Sequence, residues 1–402
     1  MLRCCFGWLG QPLQEDIIGP PSNYQEIVLH DGIVEVNVCM LGGRNVTFPV
    51  RRAAMGGEIK ERLSSLWDIP IIEQKLIYGD TVVEDAGQPL LDLSEEERQA
   101  NFVLIRIPLP TVYAVGGDVG LFGDQGSFDV VRLDTSNGVW DKLPPMTTDR
   151  RDCAAVVAQA CLYIFGGSHG SKALAAAERF DPGTAQWERI PDMLEARIAC
   201  GAASDGSKVF VMGGQPDRGA FGDKLATAEQ FDLAAAQWVA MPAMTQGRSR
   251  CSAAFAGNML HVVGGGWNSY SIERYDKEKA SWEVVLPSMP TPRYFCAAAG
   301  VGNSLYIFGG QAGKTGGLSS MNTVERLDVV NARWEALPSM PYNRAYCVAA
   351  AAGGGFALFV FGGVNDDLVQ VEHGECFNVS VCRWSQLPPT PVPRCTYAVA
   401  SS

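Results

Sequence analysis

Leu305–Gly310 reads LYIFGG, four apolar residues closed by a pair of glycines. The same phrase returns as Val112–Gly117 (VYAVGG), Leu162–Gly167 (LYIFGG), Val209–Gly214 (VFVMGG), Leu260–Gly265 (LHVVGG) and Leu358–Gly363 (LFVFGG). After each one a tryptophan follows: Trp140, Trp187, Trp238, Trp282, Trp334 and Trp384. Self-similarity at a period of about fifty residues marks a repeat architecture, in which one supersecondary unit is stacked many times.

Reading outward from Leu305–Gly310 gives the unit. Upstream, Cys296–Val301 (CAAAGV) is a run of small apolar residues, as is Tyr346–Ala351 in the next copy, and their size suits an innermost strand crowded near an axis. Gly309-Gly310 permits backbone angles that other residues avoid. A variable loop follows over 311–322. Thr323–Asp328 (TVERLD) then alternates in the manner of a half-buried strand. Arg333–Leu337 (RWEAL) is an outer strand, and Pro338-Ser339-Met340 turns the chain back inward. The third strand ends alike in Arg179-Phe180-Asp181, Gln230-Phe231-Asp232, Arg274-Tyr275-Asp276 and Arg326-Leu327-Asp328, with Cys376-Phe377-Asn378 as a terminal variant. Together the double glycine, the aromatic-Asp strand end and the spaced Trp resemble the kelch repeat over Thr111–Ser402. The resemblance implies a mainly β fold, a six-bladed kelch β-propeller. The first unit lacks an innermost strand and the chain ends in a spare run, Cys395–Ala400 (CTYAVA), so the C-terminal strand is expected to close the ring and remove the open sheet edges.

Residues 33–107 follow another pattern. Val34–Leu41 and Arg44–Val50 alternate around Gly42-Gly43, a hairpin signal. Glu58–Trp67 carries Ile59, Leu63 and Leu66 at helical spacing, and Gln74–Tyr78 and Phe102–Ile107 read as strands. This order, with Ile69-Pro70 three residues before Gln74-Lys75-Leu76-Ile77-Tyr78, is similar to ubiquitin. It implies a small α+β ubiquitin-like β-grasp domain over 33–107, after an N-terminal segment expected to be flexible (1–32). A short linker, 108–110, precedes the ring at 111–402. The family's apolar binding face falls on Leu41, Ile77 and Ile105. With no diglycine after Arg106-Ile107-Pro108, the resemblance implies a fixed module and not a conjugated one.

The 402 residues carry a formal charge of −12, which opposes nucleic acid and anionic membranes as partners. No apolar run is long enough to span a bilayer, and Met1–Gly10 is too short for a secretory signal. Five of the twelve cysteines, Cys153, Cys200, Cys251, Cys296 and Cys347, each follow an arginine by three residues. Equivalent positions in successive repeats are not natural disulfide partners, so they read as buried thiols of a reducing, cytoplasmic protein. Cys4 and Cys5, beside Phe6 and Trp8, are a candidate acylation pair that would add peripheral membrane attachment. The four histidines, His30, His169, His261 and His373, are scattered, with no HxxxH or HExxH spacing, so neither a metal nor another cofactor is expected.

Arginine recurs where one unit's outer strand returns to the next unit's inner strand: Arg150, Arg197, Arg248, Arg293, Arg344 and Arg394. A ring of guanidinium groups near an axial pocket suits carboxylates, and kelch proteins that recruit clients to ubiquitin ligases imply an acidic peptide as partner on this face. The competing reading is structural. Glu178, Glu229, Glu273, Glu325 and Glu375 recur as candidate acceptors for those arginines. The variable loops after the glycine pairs are further specificity elements. The expected function is a non-catalytic adaptor, with the ring capturing a protein and the small domain contacting a ubiquitin-pathway or other assembly. A cytoskeletal scaffold and a small-molecule enzyme of the channel are the alternatives.

Overall fold

The structure is a computed structural model that describes residues 33–40, 44–51, 56–67, 74–78, 81–82, 99–106, 111–117, 126–135, 137–217, 223–266, 270–314, 317–352, 357–391 and 398–401. Cys4, Cys5, Leu41 and Arg394 lie outside the described residues. The chain is mainly β. Six four-stranded antiparallel sheets follow one another from Thr111 to Ser401 among the described residues, as in a kelch β-propeller.

The sheet containing Leu305–Gly310 is the template. Ala297–Val301 is innermost, followed by Ser304–Phe308, Val324–Asp328 and Arg333–Leu337. Burial explains the sequence of each strand. Leu305, Tyr306, Ile307 and Phe308 are all buried, because neighbouring sheets cover both faces and a strand buried on both faces reads as a continuous apolar run. The outer strand is largely exposed instead, at Arg333, Glu335 and Ala336. The aspartate that ends the third strand shapes the next turn: Asp328 accepts hydrogen bonds from the N–H groups of Val330 and Asn331 at 2.9 and 3.0 Å, an Asx-turn. Gly309 and Gly310 have φ of +55° and +93°, and a Cβ on either would lie 2.5 Å from the Arg344 carbonyl or 2.8 Å from that of Tyr294. Only glycine fits there.

The loop expected over 311–322 contains two paired strands. Gln311–Lys314 and Gly317–Ser320 form a hairpin, and a shorter one joins Ser168–His169 to Lys172–Ala173.

Neighbouring sheets are joined in two ways. Apolar clusters mix residues from adjacent sheets, as when Phe165 and Cys200 pack with Val209, Val211 and Phe231. Each repeat tryptophan also donates its indole N–H to a proline carbonyl of the preceding sheet: Trp187 to Pro144, Trp238 to Pro191, Trp282 to Pro242, Trp334 to Pro287 and Trp384 to Pro338. Trp140 makes the same bond to Pro388, across 248 residues. Ala398–Ser401 pairs antiparallel with Thr111–Val115, Ala398 opposite Val115. It lies against both Val348–Ala352 and Ala154–Ala158. The spare C-terminal run therefore supplies the strand that the first unit lacks.

Before the ring, a five-stranded sheet has the order Asn45–Arg51, Ile33–Met40, Gln99–Arg106, Gln74–Tyr78, Thr81–Val82. Ile33–Met40 and Gln99–Arg106 are its parallel pair. The helix Gly56–Trp67 buries Ile59 and Leu63 with Val36, Val38, Phe48, Leu76 and Phe102. Leu66, expected on that apolar stripe, is exposed.

Candidate functional site

The return loops share one backbone path. In each of the five among the described residues, an arginine comes first, then two residues, then a buried cysteine. Arg150, Arg197, Arg248, Arg293 and Arg344 are all 0 to 1% exposed. Arg248 is representative: Nε donates to Glu273 Oε1 at 2.9 Å and Nη1 to the Gly264 carbonyl at 2.6 Å. Arg197 and Arg293 repeat this with Glu229 and Glu325, and with the carbonyls of Gly213 and Gly309. Arg150 reaches Glu178 and Gly166. Arg344 reaches Gly362 and forms an ion pair with Glu375. The glutamates in turn accept N–H groups of the turns, Thr147 to Glu178, Leu194 to Glu229 and Thr245 to Glu273. The expectation that these five arginines grip a partner is therefore corrected. A guanidinium with no solvent exposure, bonded to a carboxylate and carbonyls, ties its own loop to the glycine pair of the next strand. The companion glutamates named from the sequence are its acceptors.

The arginines hold in place the residues two positions further on. Asp152, Ala199, Arg250, Phe295 and Tyr346 all have left-handed backbones, with φ of 52°, 56°, 57°, 58° and 60°. Non-glycine residues rarely adopt this region, at a cost on the order of 1 kcal/mol each. Hydrogen bonds between adjacent loops offset it: Ala199 N–H to Asp152 O and Arg250 N–H to Ala199 O, both at 2.8 Å, and Tyr346 N–H to Phe295 O at 3.0 Å. The same conformation turns each of these side chains toward the axis, where they line a cavity of about 160 Å³. Further along the inner strands a second cavity, of about 220 Å³, is walled by small residues such as Ala202, Ala253, Gly300 and Ala351.

At the mouth the five side chains form a cluster. Arg250 Nη1 donates to Asp152 Oδ1 at 2.9 Å. Its guanidinium sits 5.3 Å from the Phe295 ring centre and 5.5 Å from that of Tyr346. Those two rings stack with centroids 3.7 Å apart, and Tyr294 lies 3.8 Å from Phe295. Lys224 Nζ is 5.6 Å from the Tyr294 ring. Burial is the largest single influence and works against the Arg250 charge, but Asp152, Tyr346 and Tyr294 together outweigh it and the net shift is upward. Burial, reinforced by Arg248, lowers Lys224. Cation–aromatic contacts of this kind contribute about 0.5 to 2 kcal/mol each. The signal for this cluster was in the sequence: between the repeated Arg and Cys, the residue just before Cys reads Asp, Ala, Arg, Phe and Tyr in turn.

The thiols match their sequence reading. Cys153, Cys200, Cys251, Cys296 and Cys347 are buried and free, and desolvation pushes Cys153, Cys200 and Cys296 up to about 12. Among the described residues no cluster of His, Cys, Asp or Glu could hold a metal, and no helix is long and apolar enough to cross a membrane. Gly166–Gly170 (GGSHG) fits the G-x-S-x-G pattern formally. Ser168 is fully buried there, whereas its neighbour His169 faces outward and pairs with Asp149.

In the small domain, Ile77 is half-buried and opposes Val103. Ile105 opposes Lys75 in the strand register.

The sequence matches the family model described as "KLHDC2/KLHL20/DRC7 Kelch-repeats domain" over residues 110–288 and the Kelch motif over residues 292–341. It is similar to mouse Kelch-like protein 35, 27% identical over 179 residues, which is 44% of this chain and 30% of that protein. It is also similar to human and orangutan (Pongo abelii) Kelch domain-containing protein 8B, each 28% identical over 169 residues, 38% of this chain and 46% of theirs. The matched stretch thus spans less than half the length of each relative. The double glycines, the Trp–Pro bonds, the arginine-anchored loops and these matches together support kelch repeats over residues 110–288 and 292–341.

Proposed function

We propose that the chain is a non-catalytic interaction scaffold whose ring, a six-bladed kelch propeller over 111–402, captures a segment of a protein partner at its axial mouth. Kelch-repeat proteins generally mediate protein–protein interactions. One observation carries the assignment to the mouth. Five loops share one backbone, yet the residue each turns toward the axis differs in size, charge and aromaticity. Scaffolding requires the arginines, glutamates and glycines, but it does not require that variety. Arg250 donates to Asp152, and we assign its remaining N–H groups to a partner carboxylate. The neighbouring rings of Phe295 and Tyr346 suit an adjoining apolar side chain. An acidic peptide segment remains the chemistry of choice, now read from Arg250 and Lys224 and no longer from the buried arginines.

The small domain is read as a ubiquitin-like β-grasp module, supported by its strand order, its parallel central pair and the packed helix Gly56–Trp67. Leu41, Ile77 and Ile105 are its proposed contact with a ubiquitin-pathway component. Acylation at Cys4 and Cys5 and a cytoplasmic setting complete the reading.

The test is recovery of partners by affinity capture and mass spectrometry with wild type, Arg250→Glu and Tyr346→Ala, each checked for an unchanged melting profile. Loss of the same partners from both variants is expected. Full recovery with both rejects the mouth as the capture site. Proximity labelling with Ile77→Arg tests the small domain separately, and an unchanged set of ubiquitin-pathway neighbours rejects that role.

A further inference from the structure

The perimeter of the ring is made of outer strands, and each leaves one edge without a strand partner among the described residues. Such an edge presents unpaired N–H and C=O groups, and charges or prolines on it discourage pairing with another chain. Four outer strands carry a carboxylate paired with an arginine of the third strand: Arg132 with Asp141, Arg179 with Glu188, Arg274 with Glu283 and Arg326 with Glu335. The sixth outer strand, Arg383–Pro389, has a charge, two prolines and a register shift. Gln237–Met241 has none of these. At the position of the ion pair it sets Gln230 opposite Val239, and Val239 is 50% exposed. No charge occurs from Leu233 to Gly247, and Ala234, Ala235, Ala236, Gln237 and Ala240 in that stretch are exposed.

The pattern favours one occupant. Antiparallel pairing about a two-fold axis places the central residue of a strand opposite itself. Centred on Val239, it sets Val239 against Val239, Trp238 against Ala240 and Gln237 against Met241, with no charge in the contact. The same operation on Gln186–Ile190 sets Glu188 against Glu188, and on Arg333–Leu337 it sets Glu335 against Glu335. Like charges directly opposite are destabilising. A net charge of −12 opposes the approach of two copies in general, so a neutral edge is where they meet with least repulsion.

We propose that a second copy of this chain binds here, the two Gln237–Met241 edges pairing antiparallel with Val239 on the axis. The two four-stranded sheets then join into one of eight strands. Five residues a side make a small interface, so the dimer is weak and concentration-dependent.

Sedimentation equilibrium on the full chain tests this. Wild type should pass from monomer toward dimer as concentration rises through the micromolar range. Val239→Lys and Val239→Glu should each weaken association at least about tenfold, and an equimolar mixture of the two should restore it, since Lys then faces Glu. Both variants should stay folded, because Glu188 and Glu335 already occupy the corresponding place in other sheets. Hydrogen exchange on the wild type gives a second readout, in which amides within 237–241 should slow as concentration rises. A wild type monomeric throughout, a dimer that both variants leave intact, a mixture that stays monomeric, or exchange independent of concentration would each overturn the proposal.

Discussion

His261 occupies a position that is tyrosine or phenylalanine in every other sheet: Tyr113, Tyr163, Phe210, Tyr306 and Phe359. It is fully buried. Nδ1 lies 3.0 Å from the Met259 carbonyl, and Nε2 is buried without a hydrogen-bond partner. Protonation would place a charge there with no acceptor for it. Burial, helped by the nearby Arg274 charge, therefore pushes the imidazole down from 6.5 to about 4. The unfolded chain binds more protons than the folded one between those values, so this contribution to stability is complete above pH 6.5 and is lost as the pH falls toward 4. The full effect is about 3 kcal/mol, of which about 2 kcal/mol is gone by pH 5. Urea unfolding followed by tryptophan fluorescence at about pH 7.5 and about pH 5 should show that loss in wild type. His261→Phe should lack it, having a side chain already used in two other sheets. Glu375, which burial shifts upward, acts with the opposite sign near the acid end of the window, but it is common to both proteins and cancels in the difference. If His261→Phe lost stability as steeply as wild type on acidification, the reasoning from burial would be refuted.

Arg248→Ala leaves Glu273 buried without its cation and should cost about 3 to 5 kcal/mol in urea unfolding; a loss under 1 kcal/mol would mean that water replaces the guanidinium. Truncation before Ala398 strips the inner strand from Thr111–Val115 and should lower stability by at least about 4 kcal/mol, read as a lowered melting midpoint. Iodoacetamide followed by peptide mapping should modify exposed Cys39 and Cys382 first. Cys153, Cys200 and Cys296, raised to about 12, should react only in denaturant.

Elements that depend on local pattern were legible. Gln74–Tyr78 and Arg333–Leu337 have the bounds read from the sequence, because an apolar period and a closing turn define a strand without knowledge of its neighbours. Leu66 was misread, since helical spacing gives a stripe but not the angle at which the sheet meets it. The arginines left two readings open. A charged side chain carries a strong prior for the surface, and the recurring Glu178, Glu229, Glu273, Glu325 and Glu375 offered acceptors, but only the packed strands bring each glutamate and glycine carbonyl onto its guanidinium. The mouth residues were missed because their direction is set by a left-handed backbone, and that is fixed by hydrogen bonds between loops about fifty residues apart.

Distance in sequence sets the seam apart from every other junction. The tryptophan–proline bonds inside the series span 40 to 47 residues, whereas Trp140 to Pro388 spans 248. The contact is chemically identical, so its enthalpy does not repay the longer loop. Closing 248 residues and not 47 costs about 1.5 kcal/mol more in chain entropy. The junction would be the weakest of the six if it relied on the same contacts alone. Among the described residues only this sheet draws strands from both ends of the repeat series, with Ala398–Ser401 adding four paired residues to Val112–Val115. At about 0.5 to 1.5 kcal/mol for each backbone hydrogen bond gained, that exchange outweighs the extra entropy. The strand that completes the first sheet is thus what makes closure of the series favourable.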